Sequence, residues 1–312
     1  MKKQITFGGF IEIGIILTSL LSIISSYFHQ VRLFELTSHF KLQYLIASII
    51  LLIFYTFKKR KFAAIWFLAL SIYNISFIVP WYLSVTPNAA KSLQELKILH
   101  FNVYTANENY EQLVRLINEQ SPDLISLQEV NQWWLNGINE IKTTYPYQVE
   151  IPRNDNFGIA LYSKFPIVAH AELTESQFDV PTISAKIKLA DTVLHLITTH
   201  PLPPISNSYF KKRNKQLQFI AMQCAKLDKP TILIGDLNVS MWSQNYQKFE
   251  KISKLSNSRK GFGIWPTWPS DNLLLQIPID HCLISPNFKV VDTQSLKNIG
   301  SDHLPLFIKL SL

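Results

Sequence analysis

The chain has 312 residues, 47% of them apolar, which is enough for one large domain and an appendage. Its formal net charge of +8 is uneven: residues 1–90 hold 8 Lys/Arg against 2 Asp/Glu, and residues 91–312 hold 22 against 20. The charge therefore does not indicate a nucleic-acid-binding surface, and two cysteines, Cys224 and Cys282, exclude a disulfide framework.

Three apolar segments open the chain, at residues 7–28, 42–57 and 62–83. The first and third reach the roughly 20 residues that a helix needs to span a bilayer. The second is short, but Lys41 and Lys58 at its ends can extend toward the headgroups. We expect a membrane anchor of three transmembrane helices.

The positive charges of the anchor predict its orientation. Lys2 and Lys3 begin the chain, and residues 58–61 read KKRK. The positive-inside rule places both in the cytoplasm, so three spans leave residues 91–312 on the extracytoplasmic side. A cleaved signal peptide would show one apolar region instead of three. A second segment that only dips into the membrane would leave the domain in the cytoplasm.

The pattern changes after residue 90. Residues 96–103 and 124–129 are predicted strands, and apolar residues at helical spacing lie between them, which makes a β-α-β unit. A helix is predicted at about 209–227, and a hairpin turn at Ala190-Asp191. The remaining predicted strands are 157–163, 183–189, 192–199, 231–235, 280–285, 288–294 and 304–310. Many strands with few helices favour mixed sheets.

Eight polar residues stand at the ends of these strands. Each one alone is typical of a turn or of a solvated loop. Together they comprise four carboxylates, two amides and two imidazoles, and strands of both directions can bring them to one rim of the domain, where ligand sites of α/β folds lie. The eight are Asn102, Glu129, His200, Asp236, Asn238, Asp280, Asp302 and His303.

The chemistry of this set is coherent. Carboxylate and amide oxygens suit Mg²⁺, with Mn²⁺ as the alternative. A metal held in this way keeps positions open for water and for phosphate oxygens. A histidine paired with a carboxylate serves as a general acid or base near neutral pH. The set is therefore compatible with a divalent metal and an acid or base acting together on a phosphoryl group.

Seven short motifs occur in the order seen in the endonuclease/exonuclease/phosphatase superfamily, the DNase I-like proteins, which residues 96–312 resemble. The motifs are FNV, LQEV, GIALYSKFP, TTHPLPP, GDLN, PIDHCLIS and GSDHLPL. The resemblance implies an α/β, four-layer sandwich of two mixed β-sheets flanked by helices, here preceded by the three transmembrane helices. The anchor is similar to that of membrane-bound bacterial members, which implies an integral protein of the bacterial inner membrane.

The resemblance also implies roles for the strand-end residues. Glu129 would bind Mg²⁺, with Asn102 and Asp302 close to it. The other five residues would act on the substrate and on the attacking water.

By the same resemblance, Asp236 and Asn238 would position water and the scissile phosphate. His303, oriented by Asp280, would be the acid or base. His200 would hydrogen-bond the phosphate and stabilise its developing charge.

Some assignments stay open at this point. Asp236 and His303 are both candidates for the group that takes the proton from water. Tyr104 and Tyr162 are both candidates for a phosphate-binding tyrosine, and each is also consistent with packing. No carboxylate partner for His200 can be matched.

Two further features have alternative interpretations. Arg213 can reach a phosphate from the helix after His200, or begin a solvated basic helix turn. Trp265 and Trp268, in the Pro-stiffened residues 263–269, can form a lip that stacks a substrate group or meets the membrane, or can fold onto the core.

We therefore expect a membrane-anchored, Mg²⁺-dependent phosphodiester hydrolase. The candidate substrates are a phospholipid headgroup, by a sphingomyelinase-like activity, and a nucleic acid or nucleotide. The alternative is a membrane-tethered, non-catalytic binding module, which predicts erosion of the polar set. No protein partner can be inferred.

Overall fold

The computed structural model describes residues 7–83, 95–173, 179–190, 192–228 and 230–312, with side chains from residue 12 onward. The predicted junction between anchor and domain, and Asp191 of the predicted hairpin turn, lie outside the described residues.

Four helices form the N-terminal part: α1 (Phe7–Ile24), α2 (Arg32–Thr37), α3 (Lys41–Phe57) and α4 (Lys61–Ile78). A 3₁₀ turn, Ser38–Phe40, joins α2 to α3, so that Arg32–Phe57 is one helix of 26 residues. A second 3₁₀ turn, Val79–Trp81, lengthens α4 to 21 residues.

In the part of the chain that the structure describes, two of the three predicted spans are helices long and apolar enough to cross a membrane. They are Arg32–Phe57 and Lys61–Trp81, with mean hydropathies of 1.8 and 2.0. The prediction of three such spans is corrected to two, because the first helix ends at Ile24 and its described apolar part, Glu12–Ile24, is shorter. Two residues past the end of α1, the hydroxyl of Ser26 accepts a hydrogen bond from the Lys41 ammonium. The second span is longer than predicted because α2 continues it.

Twelve strands make two six-stranded sheets. The strands are β1 (Glu95–Asn102), β2 (Leu124–Gln128), β3 (Tyr147–Ile151), β4 (Ile159–Ser163), β5 (Ile167–Glu172), β6 (Thr182–Lys188), β7 (Val193–Thr199), β8 (Thr231–Asp236), β9 (Ser256–Asn257), β10 (Asp280–Ile284), β11 (Lys289–Ser295) and β12 (Leu306–Ser311). The first sheet has the order β11-β12-β1-β2-β4-β3, and the second has β5-β6-β7-β8-β10-β9. Each contains one parallel pair, β1-β2 and β7-β8, among antiparallel ones.

Helices cover the outer face of each sheet. α5 (Tyr110–Gln120) and α6 (Gln132–Gly137) pack on the first sheet, and α7 (Asn207–Cys224) and α8 (Gln244–Ser253) on the second. The expected four-layer sandwich of two mixed sheets is confirmed. The sequence analysis missed α6, α8, β3, β5 and β9.

The space between the sheets is apolar at one end and polar at the other. Along β1, the side chains that face the second sheet are Leu96 and Ile98, which belong to the central core, and then His100 and Asn102. The other central strands change in the same way. Their polar residues at that end are Ser126 and Gln128 on β2, Thr198 on β7, Asp236 on β8 and Asp280 on β10. The alternation of side chains along each strand therefore builds one polar rim.

The anchor packs against the helical layer of the second sheet. Leu45, Ile78 and Trp81 belong to the same buried cluster as Trp242 of the domain. The buried guanidinium of Arg213 on α7 binds the buried Glu35 carboxylate of α2 at 2.8 Å. The anchor and the domain therefore share a core and a buried ion pair.

Replacing one partner of this ion pair should destabilise the protein strongly. We expect Glu35→Leu to lower the free energy of unfolding by about 3–5 kcal/mol, because Arg213 stays buried without a counter-charge. The double variant Glu35→Leu/Arg213→Met should recover most of this loss. Thermal unfolding of the detergent-solubilised chain measures both, and a single variant as stable as the parent contradicts the structural role.

Candidate active site

The polar rim opens into a cleft of about 590 Å³. Six of the eight strand-end residues line it, and Asn102 and Asp280 lie directly behind them. The structure therefore brings the whole predicted set together from both sheets. The six are Glu129, His200, Asp236, Asn238, Asp302 and His303.

Asp280 binds two histidines of the opposite sheet. At the start of β10, its Oδ2 accepts a hydrogen bond from Nδ1 of His303 at 2.8 Å, and its Oδ1 lies 3.0 Å from Nε2 of His100. All three side chains are buried. The sequence analysis missed His100, although its position on the inward face of β1, two residues before Asn102, was a usable signal.

The electrostatics keep His303 protonated. Burial alone would lower the pKa of its imidazole, but the adjacent Asp280 carboxylate, with Asp236 and Asp302, raises the pKa to about 10. Burial opposes ionisation of Asp280, yet the two histidines hold the pKa of Asp280 well below its usual value. At neutral pH His303 is therefore an imidazolium that can donate a proton or stabilise negative charge.

Asp236 is fixed by groups from both sheets. Its backbone N–H donates to Oε1 of Gln128 at 2.9 Å, and the Gln128 amide donates in turn to the Thr199 carbonyl at 2.7 Å. The residue before Asp236 must be Gly235, since a Cβ there would lie 2.0 Å from the Thr199 oxygen. Gln128 was not among the predicted site residues.

The Asp236 carboxylate faces both site histidines. Its Oδ2 lies 3.5 Å from Nε2 of His200 and 3.6 Å from Nε2 of His303. Burial would lower the pKa of His200, but its hydrogen bond and charge interaction with Asp236 raise it. Asp236 is thus the carboxylate partner of His200 that the sequence did not reveal. Asn238 closes this corner, with its N–H on Oδ1 of Asp236 at 2.8 Å.

Glu129 follows β2 in the left-handed backbone region, with φ of +61°. Such a backbone is strained for a residue with a side chain, and it is typical of functional sites. Oε1 of Glu129 accepts from the Asn102 amide at 3.0 Å, and the same amide nitrogen lies 3.5 Å from Nε2 of His303. Glu129 and His303 are therefore neighbours through Asn102.

Two groups of side chains could hold a divalent metal ion. Asp236, Asp280 and His303 each bring a ligand atom within 4.8 Å of the others. Both oxygens of Asp280 and Nδ1 of His303 are already hydrogen-bonded, however, which suits proton transfer better. Glu129 has one hydrogen bond within 3.0 Å on its carboxylate and faces the cleft. Asn102 and Asp302 carry further oxygens of the hard kind that Mg²⁺ or Mn²⁺ prefers, of which Oδ1 of Asn102 accepts from the Tyr104 N–H and Oδ2 of Asp302 from Trp268.

The two tryptophans of the 263–269 segment have different positions. Trp268 lines the cleft, and its indole N–H donates to Oδ2 of Asp302 at 3.0 Å. Trp265 is half-buried, donates to the Phe262 carbonyl at 2.7 Å and does not line the cleft. Trp268 fits the lip interpretation, and Trp265 fits the core interpretation.

The structure does not bring Arg213 into the cleft. Its guanidinium is buried and donates to Glu35 and to the Asn238 carbonyl, so the proposed phosphate contact has no physical basis. Tyr162 is also buried, and its hydroxyl donates to Glu150 at 2.7 Å. Tyr104 is 40% exposed and does not line the cleft.

The N-terminal helical part supplies one wall of the cleft. Arg32, Leu36 and His39 line it, and Nδ1 of His39 lies 2.8 Å from the Ser240 hydroxyl, two residues after Asn238. Arg32 donates to the carbonyls of Pro204 and Ile205 at 3.1 Å each. These residues lie between the first two predicted spans, where nothing in the local sequence signals a distant site.

Comparisons with known proteins agree with this geometry. Residues 99–303 match the sequence model of the "Endonuclease/Exonuclease/phosphatase family". The fold is similar to TDP2 of D. rerio, solved with a single-strand DNA product, at a TM-score of 0.61 and 14% identity over 70% of this chain and 100% of that one. It is similar to a mannosyl-6-phosphatase of Bacteroides thetaiotaomicron at 0.58 and 19%, over 70% and 100%. An endonuclease/exonuclease/phosphatase family protein of the same species gives 0.58 and 20%, over 70% and 97%. No curated protein matches the chain.

Removing the Asp280 charge should move the pH dependence of activity. In the parent protein the raised pKa keeps His303 protonated up to about pH 10. In Asp280→Asn, burial remains while the stabilising charge is lost, so the alkaline limb of the pH-rate profile should move to lower pH. Hydrolysis of bis(p-nitrophenyl) phosphate measures this. Asp292→Asn, on β11, is the matched control, and an unshifted limb in Asp280→Asn is the contrary result.

Proposed function

The chain belongs to the endonuclease/exonuclease/phosphatase family, and we propose that it is a membrane-anchored, Mg²⁺-dependent hydrolase that cleaves a phosphodiester. The observation that carries this proposal is the Asp280-His303 pair, which faces Asp236 in a cleft that also exposes the Glu129 carboxylate. Family membership supports the class of phosphoesterase.

Each residue of the cleft has a proposed task. Asp236 and Asn238 hold the attacking water in line with the scissile bond, and orientation of this kind supplies much of the rate enhancement. His303 donates a proton to the leaving oxygen or stabilises the charge on the phosphate. His200 donates to a phosphate oxygen from the opposite side of Asp236.

Glu129, Asn102 and Asp302 would hold the metal ion. The chemistry that Mg²⁺ supplies in such a site is neutralisation of charge on the phosphate oxygens. Trp268 fixes Asp302 through its indole N–H. Mn²⁺ accepts the same oxygen donors and is the alternative ion.

Asp236 is our choice for the group that takes the proton from water. Its carboxylate lies between the two histidine Nε2 atoms. The Asp280 contact engages Nδ1 of His303 and leaves Nε2 toward the cleft, which suits a proton donor. In this assignment Asp236 acts only as the base, and His303 acts only as the proton donor.

Two substrate classes are compatible with the cleft. The first is a nucleic acid or nucleotide, and TDP2, solved with a single-strand DNA product, has a similar fold. The mannosyl-6-phosphatase, named for a sugar phosphate, also has a similar fold. A sphingomyelinase-like phospholipid phosphodiesterase is the second candidate, and the anchor residues in the cleft wall favour it. A non-catalytic binding module would not need all eight polar residues at one cleft.

We place the protein in the bacterial inner membrane, with the domain on the extracytoplasmic side. Residues 58–61, KKRK, separate the two long apolar helices and favour the cytoplasm. The near-neutral balance of residues 91–312, 22 Lys/Arg against 20 Asp/Glu, gives little support for strong binding of duplex DNA.

Two substitutions should separate proton transfer from metal binding. We expect His303→Ala to lose Mg²⁺-dependent product release from phospholipid vesicles or from DNA by about 10²–10⁴-fold, because the acid-base group is missing. Glu129→Gln should instead require more Mg²⁺ and should weaken Mn²⁺ binding measured by electron paramagnetic resonance.

The full chain in nanodiscs is the form to use, and Glu95→Gln, at the opposite end of β1, is the control. Full activity of His303→Ala on every substrate that the parent protein cleaves would reject the proposed mechanism. Retained fold with no cleavage by the parent protein would reject the proposed substrate classes.

The orientation has its own test. Alkaline phosphatase fused at Leu312 should be active, and green fluorescent protein fused there should be dark, because the fusion point is expected outside the cytoplasm. Fusions in the 58–61 loop should give the opposite result. Fluorescence at Leu312 without phosphatase activity would place the domain in the cytoplasm.

A further inference from the structure

Three consecutive leucines project from the catalytic domain. Leu273, Leu274 and Leu275 are 83%, 81% and 50% exposed. They form the tip of a loop whose base is closed by the backbone pair between Trp268 and Ile277. Clustered exposed apolar side chains of this kind mark an interaction surface.

The loop lies against the membrane-spanning helix. The side-chain amide of Gln43, in Arg32–Phe57, donates to the Gln276 carbonyl at 2.9 Å. Gln43 is about 21 Å from Phe57 along the helix axis, and the hydrocarbon core of a bilayer is about 30 Å thick. If Phe57 marks one boundary, the loop therefore reaches the lipid on the side that holds the domain.

The lipid-facing surface of the helix continues directly from this contact. Ile46 and Ile50 follow Gln43 on the same helix face and are 50% and 60% exposed. The leucine tip thus extends an apolar stripe that the bilayer would cover if the helix spans it as proposed. A protein partner would have to displace lipid there.

The base of the same loop is a wall of the catalytic cleft. Trp268 and Ile277 line the cleft, as does Ile279 two residues later. Leu36 of the anchor lines it as well. The apolar residues at the base of the loop therefore lie in the same cleft wall as Asp302 and His303, which contact Trp268.

We propose that Leu273, Leu274 and Leu275 insert into the lipid leaflet, and that the substrate is a lipid phosphate ester that enters the cleft from that leaflet past Trp268. The second half of this statement rests on the proposed function. The first half rests only on the proposed membrane anchoring, because it concerns where the loop lies and not what the cleft hydrolyses.

The described lining of the cleft supports this substrate class over a polyanion. Its one Lys or Arg is Arg32, which already donates to two backbone carbonyls and lies near Asn207. A nucleic acid needs several cationic contacts along its backbone. A lipid phosphate ester needs a single phosphate site beside an apolar wall.

Spin labelling locates the loop without any need for activity. Leu274→Cys, in the full chain in nanodiscs, should give a label that collides with dissolved oxygen and is shielded from a water-soluble nickel chelate. The native cysteines are buried and should not react. Val168→Cys is the control, since Val168 is 55% exposed on β5 near the end of its sheet opposite His200. Equal nickel accessibility at both sites would overturn the insertion.

Activity tests the substrate class. Vesicles of mixed phosphatidylcholine, phosphatidylglycerol, phosphatidylethanolamine and sphingomyelin should be hydrolysed at least 10-fold more slowly by Leu274→Asp than by Val168→Asp. Both variants should cleave soluble bis(p-nitrophenyl) phosphate at the parent rate. Equal lipid hydrolysis, or soluble activity with no lipid product from the parent protein, would overturn the lipid substrate. If the parent protein hydrolyses neither the vesicle lipids nor bis(p-nitrophenyl) phosphate, the proposed function is rejected. The spin-labelling result would still decide whether the loop inserts into the leaflet.

Discussion

The contact between Asp280 and His303 is the interaction on which the site depends, because it joins the two sheets where their shared core ends. Asp280 begins a strand of the second sheet, and its two oxygens meet His303 and His100 of the first. A buried carboxylate is costly unless it is paired and hydrogen-bonded. The two sheets must therefore keep a fixed position relative to each other at this rim. That position sets the distance from Asp236 to each of the two cleft histidines.

The polar rim is an extension of ordinary strand geometry. Inward-facing positions that hold Leu, Ile or Cys at one end of a strand hold Asn, Gln, Thr, Asp or His at the other. Polar side chains placed this deep must satisfy one another, and they do so across the gap: Ser126 meets Thr198, and Gln128 meets both Thr199 and Asp236. Hydrogen bonds of this kind rigidify the groups that they hold.

Much of the fold and of the polar rim could be predicted from sequence, because strand alternation is local. The eight strand-end residues were identified in this way, and the family resemblance assigned Asp280 to His303. Residues whose role depends on distant partners were missed. His100 and Gln128 are ordinary strand residues until the second sheet is placed opposite them. For Arg213 the sequence left a phosphate contact and a solvated helix start open, because its partner, Glu35, lies between two predicted spans, where nothing signals a contact with the domain.

The fusion of anchor and domain has a consequence for how the protein can change. Glu35 binds Arg213, and the Arg213 guanidinium also donates to the Asn238 carbonyl. His39 contacts the hydroxyl of Ser240. The first turns of the helix Arg32–Phe57 therefore support the loop that follows β8. Replacing these helices with an unrelated pair would keep an anchor on the domain but would remove one wall of the cleft. Exchange of anchors between such proteins is therefore constrained, and the helix and the hydrolase are expected to be inherited as one unit.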